Sequence, residues 1–392
     1  MRAKMRQLAV NLALVAGSLL VCLLVLEFVV FSHILKPDDV LPNVSVDGVV
    51  RYMPNTHAAF RHPDGTETLV TINEQGWNST KRRYAEAKTP GVLRVAVIGD
   101  SYVHGSFVNA DQGFPEVIER QLQAAGVKAE VLRFGMDGAP LSQYLHVLRR
   151  EVLAFQPDIV LVQLIHNDFD ESYRFLKTRY ASSFLKLDVD GKGAVIEIEP
   201  ADFTPGAADL LREFNTFRYL YYKTNAYLKL KSLVSRFWWG GEEEYKPEFI
   251  SSAVDIRKIA DHASNRFFAG YVLAQMQALG RQHAFKLAFA MDGVREAIYA
   301  GRPAEGYAVH KLNAIAADLA AELGLPFLDL QDMFAADHAR EGRRFEFAHD
   351  WHWNARGNRV AGEAIARFLL ADPRLLGPAP ARSAAQEPAP RI

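Results

Sequence analysis

The chain has 392 residues, with 45 lysines and arginines against 46 aspartates and glutamates, and one cysteine, Cys22. A formal charge of −1 excludes the basic surface that a nucleic-acid binder needs, and a single thiol excludes an intramolecular disulfide framework or a cysteine-based zinc site. Apolar residues at 49% and charged residues at 23% supply a substantial core, as one α/β domain with an insertion or as two domains.

Between Leu8 and Leu26 no residue is charged, and apolar character resumes after Glu27 through Phe31. This is enough helix to cross a hydrocarbon core of about 30 Å, so residues 8–31 are expected to form one membrane span. Arg2, Lys4 and Arg6 precede it, while Asp38 and Asp39 follow Lys36. The positive-inside bias therefore expects a cytoplasmic amino terminus, a single-pass anchor in the inner membrane and the bulk of the chain on the periplasmic or extracellular side. The rival is a cleaved signal peptide, whose apolar core of about 7–15 residues and small-x-small site are not cleanly met. Cys22 lacks the small preceding residue of a lipoprotein cleavage site and reads as an apolar residue of the span. A carboxylate at mid-membrane costs several kcal/mol, so Glu27 either reaches interfacial water or meets a membrane partner protein.

Residues 1–35 are thus expected to be the cytoplasmic terminus and anchor, and 36–90 a β-containing lead-in with turns at Pro37-Asp38 and Pro63-Asp64. The main domain spans 91–371, followed by a tail, 372–392, too poor in large apolar groups to fold. In the main domain, strands are predicted at 93–98, 129–134, 158–165, 284–290 and 326–330, and helices at 114–125, 141–155, 308–323 and 357–370. Such alternation predicts a parallel sheet covered by helices on both faces.

The first of these strands runs into Gly99-Asp100-Ser101. The carboxyl ends of parallel strands open into a crevice where ligands collect. A hydroxyl there, beside backbone N–H groups, can act as a nucleophile with an oxyanion site next to it. The same tripeptide is also an ordinary polar turn.

An insertion is expected at about residues 171–280. It begins with a hairpin across Asp190-Gly191-Lys192-Gly193. Asp188, Asp190, Gly193 and Glu199 also fall at the first, third, sixth and twelfth places of an EF-hand-type loop, with Lys192 set where an oxygen ligand belongs. Phe214, Phe217, Tyr219, Tyr221, Tyr222 and Tyr227, then Phe237, Trp238 and Trp239, read as core by their helical spacing. Stacking on sugar rings or lying at a membrane surface are the other readings.

Three further stretches carry Gly135 after the second strand, Asn167 after the third, and His352 in His349-Asp350-Trp351-His352 before the last helix. With Ser101 they resemble the SGNH (GDSL-type) hydrolases, whose named residues are Ser, Gly, Asn and His in that order. The resemblance runs over about residues 92–370, and the stretch from Asn73 to Arg83 is similar to the lead-in of membrane-anchored members. It implies a flavodoxin-like sheet in the order 2-1-3-4-5 and no cofactor. Ser101 would be the nucleophile and His352 the base that takes and returns its proton. Asp350 would hold the imidazole, and the N–H groups of Ser101 and Gly135 with the Asn167 amide would cradle the oxyanion. Asp100 and Asp168 are expected in support.

Two departures stand out. Ile165 occupies a position that is usually glycine, and the carboxylate precedes His352 by two residues, with His349 at the customary third. This Asp-x-His-Trp arrangement resembles that of SGNH-like proteins of alginate acetylation. His349, Asp350 and His352 also read as a metal cluster, and Asn354 as the N-cap of the last helix. The expectation is a membrane-anchored serine esterase or O-acyltransferase acting on acylated, chiefly acetylated, envelope or exported polysaccharide. A catalytically silent glycan-binding or scaffold protein and a metal-dependent hydrolase are the alternatives.

Overall fold

The computed structural model describes residues 2–62, 65–173, 181–223, 262–348 and 350–376. His349, Tyr227, Phe237 to Trp239 and the tail beyond residue 376 lie outside them. The contacts divide the chain into two units, one of Met1–Leu41, Ala58–Thr68 and Thr204–Lys246, the other of Pro42–His57, Leu69–Phe203 and Pro247–Ile392.

In the first unit, helix α1 (Arg2–Val25) continues as a wider π-helical stretch, Leu26–Ile34. Within Lys4–Ile34 an 18-residue window reaches a mean hydropathy of 2.7, and the helix is long and apolar enough to cross a membrane. Glu27 finds partners within the chain. Its carboxylate accepts the N–H groups of Asn215 at 2.7 Å and Thr216 at 2.8 Å, the first turn of a short helix, Asn215–Arg218. Orphan N–H groups at a helix start favour an anion, so the charge is satisfied within the chain. Phe31 stacks on Tyr219 at 4.6 Å beside it. The core reading of the aromatic run does not hold for Phe214 and Tyr221, which are exposed.

The second unit is built on five parallel strands, β1 (Leu93–Gly99), β2 (Ala129–Gly135), β3 (Ile159–Leu164), β4 (Lys286–Met291) and β5 (Phe327–Asp329), in the spatial order β5-β4-β3-β1-β2. This is the expected 2-1-3-4-5 arrangement. Strands β1 and β3 have near-continuous apolar interiors, as strands covered on both faces require. Crossover connections put α3 (Phe114–Ala124) on one face, packed on α9 (Ala355–Ala371). The other face carries α4 (Leu141–Arg150), α5 (His262–His283) and α7 (His310–Glu322). Helices α5, at the end of the expected insertion, α6 (Arg295–Ala300) and α8 (Gln331–Glu341) had no sequence expectation.

Strands Lys186–Val189 and Val195–Ile198 form the expected hairpin. The Asp190 carboxylate accepts the N–H groups of Lys192 at 2.8 Å and Ala194 at 2.9 Å, closing the turn in the manner of an Asx turn. Chain order ends differently from expectation as well: Pro373–Leu376 is a helical turn with Leu375 buried.

Candidate active site

Strand β1 delivers Ser101 to the start of a one-turn helix, α2 (Ser101–His104), with Asp100 as its N-cap. One Asp100 oxygen accepts the Tyr102 N–H at 2.9 Å and the other lies 3.3 Å from Ser101 Oγ. Burial pushes the Asp100 carboxyl up to about 6, although the Tyr102 N–H and the His352 charge oppose it. As the first residue of the helix, Ser101 has an N–H that the helix itself cannot use.

The acid-base side comes from 251 residues further along the chain. Asp350 and His352 lie on the short strand Asp350–Trp353, where residues two apart share a face. The altered spacing is therefore a working one: Asp350 Oδ1 holds both His352 Nδ1, at 2.5 Å, and the His352 N–H, at 2.8 Å. His352 Nε2 reaches Ser101 Oγ at 2.7 Å. Burial alone would pull the imidazole down, but the Asp350 carboxylate, with Asp137 and Asp100, outweighs it and leaves His352 above its ordinary value. Both ring nitrogens are engaged by protein atoms, which takes the ring out of a metal-ligand set. Among the described residues no cluster of His, Cys, Asp and Glu could hold a metal ion.

Gly135 requires a correction. It pairs with Gly99 at the end of β2, and Met136 donates its N–H to the Gly99 carbonyl at 3.3 Å. Alternation along the strand therefore turns the Gly135 N–H to the open edge of the sheet, away from Ser101. The glycine is there for packing: a Cβ would lie 2.1 Å from His104 N and 2.5 Å from Val103 C. Three residues on, Gly138 lies in the turn Met136–Ala139, closed by the Ala139 N–H on the Met136 carbonyl at 3.1 Å. It is left-handed at φ +69°, with open space where a Cβ would stand. Its neighbour Asp137 is close enough for its charge to act on His352 and Asp100.

Asn167 follows β3 and donates its side-chain amide to Glu171 Oε2 at 3.3 Å. Asp168 is buried, accepting Tyr144 Oη at 2.7 Å and the Ile165 N–H at 2.7 Å; burial and the Asp100 charge push its carboxyl well up. The carboxylate thus closes the turn before Asn167, and Ile165 at the usual glycine position serves the core. Asn354 caps α9 as expected, accepting the Arg356 and Gly357 N–H groups at 2.9 and 3.0 Å.

Two groups around the site had no sequence signal. Arg295, fully buried on α6, donates to Tyr102 Oη at 2.7 Å and the Trp351 carbonyl at 2.9 Å, and pairs with Asp292 at 3.3 Å and Glu346 at 3.2 Å. It ties the residue after Ser101 to the residue before His352. Phe107 sits at φ +66°, a conformation that costs a bulky residue about 1–3 kcal/mol and persists where surroundings enforce it. Its ring centroid is 5.8 Å from His352 and 6.3 Å from Phe347.

Residues 95–216 match the GDSL-like lipase/acylhydrolase family. No curated protein matches the sequence. Among solved structures the chain is similar to an acetyl xylan esterase, at 13% identity over 70% of this chain and 98% of that one with a TM-score of 0.39. It is similar to a lipase/acylhydrolase from Enterococcus faecalis at 15% identity over 70% and 94%, TM-score 0.36. A two-domain esterase active on acetylated mannans is matched at 13% identity over 77% and 54%, TM-score 0.34. The family match thus covers the segment that carries Ser101 and Asn167, and it supports an SGNH-type hydrolase.

Proposed function

We propose that the protein is a serine esterase or O-acyltransferase working through an acyl-Ser101 intermediate on acylated, chiefly acetylated, envelope or exported polysaccharide. In this reading residues 8–31 anchor it in the inner membrane, and the hydrolase domain of 91–371 faces the periplasm or exterior. The 2.7 Å contact between Ser101 Oγ and His352 Nε2 is the observation that supports the chemistry most directly. The hydropathy of Lys4–Ile34 supports the anchor.

Ser101 Oγ attacks the ester carbonyl as its proton passes to His352 Nε2, and Asp350 stabilises the imidazolium that forms. The negative charge on the carbonyl oxygen is met by the Ser101 N–H, the Gly138 N–H and the Asn167 amide. The carbonyl–oxygen bond to the sugar then breaks, and His352 returns the proton to the departing hydroxyl. Water or a second hydroxyl reverses these steps on the acyl-enzyme, giving the free acid or a new ester.

The test is turnover of acetyl esters by the full chain in detergent, with and without a glycan acceptor. Acetate alone marks an esterase and acetyl on the acceptor a transferase. An inactive parent, or a Ser101→Ala variant as active as the parent, contradicts the reading.

A further inference from the structure

We propose that Tyr52 and Asn78, which lie ahead of the matched residues 95–216, are positioning residues for the ester chemistry, holding the one-turn helix that begins with Ser101 against the turn that follows β2. The inference rests on the serine-esterase reading and adds to that site a wall built by the lead-in. Three observations carry it.

The first is Asn78. Its buried side-chain amide donates to the His104 carbonyl at 2.7 Å, at the last residue of α2. Carbonyls at a helix end have no partner within the helix, and in a helix of one turn a tie at residue 104 also fixes the start at Ser101. Asn78 is itself held. Its carbonyl accepts Arg133 Nε from β2, and its Oδ1 accepts the Thr71 N–H at 3.3 Å.

The second is Tyr52, the buried last residue of the strand Val49–Tyr52. Its ring lies against the His104 ring with 4.5 Å between centroids, and its Oη accepts the Asp137 N–H at 3.3 Å. One side chain therefore touches both α2 and the turn Met136–Ala139. Asp137 Oδ1 accepts Ser106 Oγ at 3.0 Å, so the residues just past α2 are tied back to the same turn.

The third is the stiffness of the lead-in around these two residues. Asn73 Oδ1 accepts the N–H groups of Gln75 at 3.0 Å and Trp77 at 2.9 Å, closing the turn in the Asx manner. Tyr52 donates its N–H to the Gly76 carbonyl at 3.2 Å. Gly76 is left-handed at φ +88°, and a Cβ there would stand 2.6 Å from the Tyr52 carbonyl. Trp77, fully buried, meets Phe134 of β2 edge to face at 5.5 Å. Supporting side chains locked in this way keep reacting groups within a fraction of an ångström of productive geometry. Removing the Tyr52 hydroxyl leaves the ring in place and frees the Asp137 N–H, so the turn drifts relative to Ser101 while the fold is kept. The transition state, where charge develops on the carbonyl oxygen, feels that drift more than bound substrate does; a misplacement of about 1 Å costs about 100-fold.

The experiment measures turnover of p-nitrophenyl acetate by the full chain in detergent, with kcat counted per site titrated by a fluorophosphonate. Affinity for a trifluoromethyl ketone, which captures a serine as a tetrahedral adduct, is measured alongside. Tyr52→Phe is expected to lower kcat per titrated site tenfold or more with KM within twofold of the parent, and to weaken the ketone by a similar factor; Asn78→Ala is expected to do the same. Melting curves establish folding, and Tyr52→Phe decides the matter should Asn78→Ala unfold. A folded Tyr52→Phe with kcat per titrated site within twofold of the parent overturns the proposal, leaving the serine-esterase reading intact. A loss confined to the number of titratable sites, which marks a purely structural role, or confined to KM overturns it equally. A parent inert to every ester and to phosphonate takes down that reading, and the positioning role with it.

Discussion

Arg295 donates to Tyr102 Oη at 2.7 Å while its other terminal nitrogen holds the Trp351 carbonyl at 2.9 Å. One guanidinium thus couples the helix that carries Ser101 to the strand that carries His352. Arg295→Ala would leave Asp292 buried without its cation, while Glu346 keeps Arg344 at 3.1 Å, and removing one partner of a buried pair costs about 3–5 kcal/mol. Arg295→Lys keeps the charge but cannot reproduce the planar fork. We expect it to lower kcat at least tenfold with a smaller loss in stability, and Tyr102→Phe to lower kcat with KM little changed. Melting curves alongside steady-state kinetics separate the two effects; equal kcat in Arg295→Lys and the parent would mean that the coupling does not position the site.

His352 acts as a base only when neutral. Burial works to lower its proton affinity, but Asp350, Asp137 and Asp100 outweigh that and hold the proton more tightly than a free imidazole with its value of 6.5. Activity should therefore rise with pH through a midpoint above 6.5. Asp350→Asn removes the principal stabilising charge, so the midpoint should move down while kcat drops by about 10³–10⁴-fold. A pH–rate profile of both proteins checks the direction of the shift.

Gly135→Ala places a methyl group 2.1 Å from the His104 nitrogen, against backbone that cannot rotate away. Overpacking of this kind costs about 1–3 kcal/mol, and the strain falls on the one-turn helix that begins with Ser101. Loss of stability and activity together is expected. A variant as stable as the parent would show that strand and helix are not in close contact.

His166 is buried with Nε2 on Asn313 Oδ1 at 2.8 Å, and burial pulls it down to about 4 from an ordinary 6.5. Between those values the unfolded chain binds a proton that the folded chain does not, so this residue's contribution to stability is lost as pH falls from 6.5 towards 4. The loss reaches about 3 kcal/mol at the acid end. Asp100, pushed up to about 6, and Asp292, to about 7, act in the opposite direction, so the comparison with His166→Asn is what isolates it. Denaturant unfolding from pH 7 to pH 4 should give a shallower acid decline in the variant.

The sheet was legible because β1 and β3 are apolar on both faces, and an uninterrupted apolar run of that length has few other homes. The Ser101–His352 pair was legible because each residue stands in a polar break after such a run or before an amphipathic helix. Which way the Gly135 N–H turns was hidden, because it depends on strand alternation and register with β1. The two-residue spacing of Asp350 and His352 looked irregular until the segment proved to be a strand. Arg295 was hidden because an arginine at the start of a helical pattern reads as a solvated residue, and its burial is set by Tyr102, Asp292 and Glu346 from three other segments. The backbone of Phe107 leaves no trace in its side-chain chemistry. Glu27 was noticed, but its partners at Asn215 and Thr216 lie 188 and 189 residues away, beyond the reach of any local pattern.

The most direct test is mass spectrometry of the full-length protein after treatment with a fluorophosphonate. The account predicts one covalent adduct, on the peptide containing Ser101, formed quickly in the parent, slowly in His352→Ala and not at all in Ser101→Ala. A folded parent that takes up no phosphonate, or takes it up at a residue other than Ser101, would contradict it.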